Sequence, residues 1–155
     1  MSISWISRRY WLGALLLAVA VPLSSAQRAE LNPKTLAYKL PNQINWVARG
    51  DGLLQAVMAG DPAKPGFYVV LAKWTAGHMS RPHFHPNDRF ITVLSGTWWV
   101  GTGAKFSPET TTPLPAGTFV THFAKEVHFD GAKDADVTLE ITGMGPGTST
   151  PAEVK

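Results

Sequence analysis

The chain has 155 residues, no cysteine and a formal charge of +3. Without cysteine there is no disulfide framework and no thiolate metal site, so any metal must rest on histidine, carboxylate or water. Apart from Arg8 and Arg9 the chain carries 12 basic and 11 acidic residues with no run of like charge, which leaves no electrostatic footprint for nucleic acid.

Residues 1–26 read as an export signal. Arg8-Arg9 form a basic start, Leu12 to Leu23 an apolar core, and Ser24-Ser25-Ala26 a small-residue cleavage site. Ser7 to Leu12 also resembles a twin-arginine signal, with Trp11 where Phe is usual and Gly13 where Lys is common. Ordinary secretory export and an uncleaved anchor are the alternatives. Cleavage after Ala26 would leave residues 27–155 as one periplasmic or secreted domain of 129 residues, with no membrane anchor.

Beyond the signal no helical period holds. Short β-branched and aromatic runs alternate with Gly and Pro punctuation, which predicts strands. They fall at 44–47, 53–58, 67–74, 83–94 (broken by Pro86-Asn87-Asp88), 97–100, 118–123, 127–129 and 137–142. Residues 105–115 read as a polar, Pro-containing loop, and the tail from Gly145 as irregular. Many short strands at near-regular spacing predict an all-β sandwich or barrel.

All five histidines fall between His78 and His128. In a strand, residues two apart share a face, so His83 and His85 aim at one point. Neutral imidazole suits Fe, Zn, Ni and Cu.

The surrounding residues resemble the two motifs of the cupin superfamily. In the first, Gly77, His83, His85 and Gly96 match, with Arg89 where Glu is expected. In the second, Gly117 and His128 match, with Phe123 for Pro, Lys125 for Gly and Ala132 for Asn. Pro86 and Gly143-Met144-Gly145-Pro146 fit small bacterial members of that superfamily. The resemblance implies a double-sheet jelly-roll β-barrel. It also implies a divalent metal (Fe, Mn, Zn, Ni or Cu) held by His83, His85 and His128, and pairing of two copies through sheet edges as one option.

Arg89 cannot ligate a metal. It either turns outward to pair with Asp88, points inward to clamp an anionic ligand, or marks a site that has lost its metal. Asp88 is either a substitute carboxylate or a turn residue. His122 is either a hydrogen-bonding partner beside the metal or a histidine of the rim. Glu140 is expected in solvent and His78 on the surface, while one ring of Trp98-Trp99 should enter the interior. Two functions follow. One is a metal-dependent dioxygenase acting on a small organic anion; the other is a binding protein for a small molecule or metal, without turnover.

Overall fold

The structure is a computed structural model and describes residues 30–154. The expected signal and its cleavage site lie outside those residues. Contacts divide the chain at Tyr38 and Lys39. Before that point the described chain makes one turn, where the amides of Thr35 and Leu36 donate to the Asn32 carbonyl.

From Lys39 onward eleven strands are described. They are β1 (Val47–Gly50), β2 (Leu53–Ala59), β3 (Gly66–Trp74), β4 (His83–Phe84), β5 (Arg89–Ser95) and β6 (Thr97–Thr102). The series continues with β7 (Thr112–Pro115), β8 (Phe119–His122), β9 (His128–Gly131), β10 (Val137–Gly145) and β11 (Thr150–Pro151). They form two antiparallel sheets, ordered β1-β2-β3-β10-β5-β8 and β11-β4-β9-β6-β7. The double-sheet jelly roll is as expected. The barrel is not closed: among the described residues no ladder joins the two sheets at their edges.

Period-2 alternation builds the core. Tyr68, Val70, Ala72 and Trp74 of β3 point inward, with Ile91 and Val93 of β5 and Val137, Leu139 and Ile141 of β10. Trp98 of β6 meets them from the other sheet. Each fully buried aliphatic side chain of this kind contributes about 1.5–3 kcal/mol. The predicted Ser95-Gly96 turn joins β5 to β6. Gly96 has φ +76°, and a Cβ there would stand 2.3 Å from the Asp136 carbonyl oxygen, so only glycine fits.

Two predicted non-strand stretches hold strands. The loop at 105–115 contains β7, and the tail contains β11. Both carry proline and both are edge strands. Proline removes a ladder donor and so is tolerated at an edge, where a sequence reading takes it for a break.

The break at Pro86-Asn87-Asp88 does more than interrupt a strand. His83 lies in β4 of the five-stranded sheet, while Arg89 begins β5 of the six-stranded one. The chain therefore changes sheets between them, and strand parity cannot be counted across the turn. Within β5 it holds: Arg89, Ile91 and Val93 face inward, and Phe90 and Leu94 are exposed.

Candidate metal centre

Register brings the histidines together. His83 of β4 stands opposite His128 of β9. His85 follows on the same face, and the three rings have centroids 4.5–5.2 Å apart. One ligand atom from each of His83, His85 and His128 lies within 4.8 Å of the others. The turn that feeds β9 contains Lys125 at φ +65°. The second motif has glycine at that position. The left-handed backbone is kept here without glycine, and the Lys125 amide donates to the His85 carbonyl at 2.8 Å.

Hydrogen bonds to the outer nitrogens define which atoms face inward. Nδ1 of His83 meets the Arg81 carbonyl at 2.8 Å, Nδ1 of His85 the Thr148 carbonyl at 2.8 Å, and Nδ1 of His128 the Glu126 carbonyl at 3.1 Å. A carbonyl only accepts, so each Nδ1 carries the proton. In a neutral imidazole the Nε2 is then a bare lone pair. Nε2 of His83 and of His85 are 3.1 Å apart, and Nε2 of His128 is buried with no hydrogen-bond partner among the described residues. Acceptors this close repel unless a cation, a proton or a metal ion, lies among them. The donor set therefore fits a divalent metal, and the carbonyls hold each ring in its ligating tautomer.

Burial favours the neutral form of His85 and of His128. His85 is pushed down to about 3, chiefly by burial and then by the charge of Arg89. His128 is pushed down to about 4, again chiefly by burial, with Asp130 opposing. Both folded values lie below the ordinary histidine value of 6.5. Unfolded chains then bind protons that the native state refuses. The contribution to stability is fully present above about pH 6.5 and is lost as the pH falls toward 4 and 3, at about 1.4 kcal/mol per unit for each such group. Urea unfolding of metal-free protein should therefore show a midpoint that is flat above pH 7 and falls steadily from pH 6.5 to 4. A midpoint constant through that window would mean that the rings are not buried as neutral bases.

His122 is not at the rim. It is buried on β8, with its ring 3.8 Å from that of His128 and 5.3 Å from that of Trp98. Arg89 is its cross-strand partner, and Arg89 Nη2 donates to His122 Nδ1 at 3.2 Å. A guanidinium only donates, so His122 carries its proton on Nε2 and offers no lone pair to a metal. Burial and the charges of His128 and Arg89 push its pKa down as well.

Arg89 points inward. It lines a cavity of about 420 Å³ together with His83 and His85. Its Nε is buried without a partner, and no carboxylate lies within ion-pair distance of it among the described residues. Burial presses its pKa down, opposed by Asp130 and Tyr68. Asp88 does not pair with it. Asp88 is exposed, and its Oδ1 accepts the Ala124 amide at 2.7 Å, so it is the turn residue of the two readings. Glu140 is half-buried on the face opposite Leu139 and Ile141, away from the cavity, and His78 is exposed. Trp98 enters the interior and forms part of the cavity wall, while Trp99 lies outside under the Lys133 ammonium.

The cavity also holds a buried carboxylate to which neither motif points. Asp130 is 5% exposed, and its Oδ1 accepts the Trp98 indole N–H at 3.2 Å. His128-Phe129-Asp130 repeats the spacing of His83-Phe84-His85, a signal that the motif template hides because it asks for nothing at that position.

No family model matches the chain, and no curated protein matches it. Solved structures do. The polyketide cyclase RemF from Streptomyces resistomycificus superposes with a TM-score of 0.63 at 12% identity, over 77% of this chain and 87% of that one. An RmlC-like cupin from Shewanella frigidimarina gives 0.56 at 14% identity, over 70% and 90%. This chain has the cupin fold. KdgF from Halomonas sp. is similar too, with a TM-score of 0.55 at 15% identity, over 70% of this chain and 95% of that one. Identities this low establish a shared fold and leave activity to the site. In this chain the two histidines of the first motif and the histidine of the second meet across β4 and β9, and the position where that motif has Glu is filled by an inward Arg89.

Proposed function

We propose that this protein is an exported, metal-dependent cupin oxidoreductase, a dioxygenase acting on a small organic anion. The observation that carries the reading is that His83 and His85 of the histidine group line one cavity together with a guanidinium that has no carboxylate within ion-pair distance among the described residues. His83, His85 and His128 would hold the metal, which in such enzymes supplies redox and oxygen chemistry when bound. The rest falls to the protein. Arg89 supplies a fixed, charged donor fork for the anionic end of the ligand. Leu53, Ala72, Trp74, Leu139 and Ile141 give the cavity an apolar wall that suits a hydrocarbon body and keeps water away. His122 holds one guanidinium nitrogen and so fixes the direction of the fork.

The second reading is a binding protein without turnover. Arg89 favours it, because a permanent cation beside three imidazoles weakens a divalent ion by repulsion. Protein recovered from the exported fraction decides between them. The expected result is an intact mass lacking residues 1–26, about one divalent metal per chain, and oxygen uptake that begins only when an organic acid is added. Metal without oxygen uptake across a panel of aryl and alkyl acids would select the binding protein. A mass that retains residues 1–26 would remove export with cleavage.

A further inference from the structure

We propose that Asp130 supplies the negative charge of the metal centre, in place of the carboxylate that the first motif lacks at position 89. The inference rests on the metal-centre reading above. Asp130 follows His128 by two residues on β9, so both side chains leave the same face of the strand. It is the one buried carboxylate among the described residues, and it lines the same cavity as His83, His85 and Arg89.

Its two oxygens are treated differently. Oδ1 is held by the Trp98 indole. No hydrogen bond reaches Oδ2 among the described residues, and Oδ2 lies 3.9 Å from Nε2 of His128. That nitrogen has no proton to give, since Nδ1 donates to the Glu126 carbonyl. Two acceptors thus face each other across a gap too long for a hydrogen bond. The ligand atoms within 4.8 Å of one another are those of the three histidines, and a cation held by them would have Oδ2 of Asp130 beside the His128 nitrogen.

Desolvating a carboxylate for one indole contact is costly unless a positive charge accompanies it. Two charges are available. Arg89 shares the cavity and feels the charge of Asp130, but it makes no ion pair with that carboxylate, and none lies within ion-pair distance of it among the described residues. The other is the ion that three neutral imidazoles would hold. Those imidazoles bring no charge of their own, and Arg89 adds another positive one. Without Asp130 nothing buried in the cavity would offset the ion. Moving the carboxylate from β5 to β9 keeps one anion at the centre and frees position 89 for a cation that faces the ligand. Trp98 acts as a positioning residue: by engaging Oδ1 it leaves Oδ2 toward the histidines.

The test is titration of metal-free protein with Co(II) and with Mn(II). Asp130→Asn keeps the shape and an oxygen for the indole but removes the charge. Its Co(II) affinity should fall by at least about tenfold, with an altered visible spectrum of the bound ion. The same loss should appear when Asp130→Asn is placed on Arg89→Gln. Equal affinity and an identical spectrum for Asp130→Asn and wild type would overturn the proposal. So would a loss that vanishes on Arg89→Gln, since Asp130 would then be only the counter-ion of Arg89. Infrared difference spectra of the wild type need no variant to fold. Zn(II) loading should shift a carboxylate stretch, and the absence of any shift counts against Asp130. A wild-type chain that takes up neither ion would remove the metal-centre reading itself, whereas binding that Asp130→Asn matches would remove the role of Asp130 alone.

Discussion

Replacing His83 or His128 by alanine should strip the metal from the protein. Each ring is one of three bare nitrogens at the centre, and its loss leaves two. Changing a residue that merely supports a ligand costs about 10–100-fold in affinity, and losing a ligand costs more. Metal content after dialysis reads the result, with circular dichroism to show that the sheets persist. The tautomers provide a sharper contrast. His122 packs against His128 as closely as any ring in the cluster, yet its Nδ1 is taken by Arg89 and its Nε2 carries a proton. His122→Ala should therefore retain the metal. If His83→Ala and His128→Ala kept full occupancy while His122→Ala lost it, the assignment of ligands would be inverted.

The second large effect belongs to Arg89, where one substitution should move two affinities in opposite directions. Arg89→Glu removes a cation from the cavity and restores the residue type of the first motif. Metal should bind more tightly, because a repulsion is replaced by an attraction. An anionic ligand should bind more weakly by about 1.5–3 kcal/mol, the range for one charge-assisted hydrogen bond. Calorimetry with Mn(II), and then with an aryl carboxylate on the loaded protein, measures both. Weaker metal binding would show that the Arg89–His122 contact supports the histidines structurally. Unchanged carboxylate binding would show that the guanidinium faces no ligand.

Most strands were legible because burial on one face writes a period of two into the residues. Val70, Ala72 and Trp74 show it, as do Val137, Leu139 and Ile141. The histidine group was legible for the same reason, since His83 and His85 lie two apart and the second motif locates His128. Other features were not legible, each for a physical reason. β7 and β11 were hidden by proline at sheet edges. The switch of sheets at Pro86 to Asp88 was hidden because a turn looks the same whether the next strand returns to its sheet or leaves it. His122, beside a turn, reads equally as a partner of the metal or as a rim residue, and only its cross-strand pairing with Arg89 and its burial decide between them. Asp130 was not legible because the second motif specifies position 132, where a buried alanine packs in the core, and leaves position 130 open.

The bond from His85 to the Thr148 carbonyl spans 63 positions of sequence. β11, just beyond, pairs with β4 and so braces the strand that begins with His83. A chain emerging from the ribosome presents its histidine pair long before the residue that gives His85 its working tautomer. Until then the ring is free to turn over and offer either nitrogen. The carbonyl that orients His85 is thus among the last parts of the cluster to be made, and a chain cut short after Pro146 would keep every histidine yet lose the group that tells one of them which way to face.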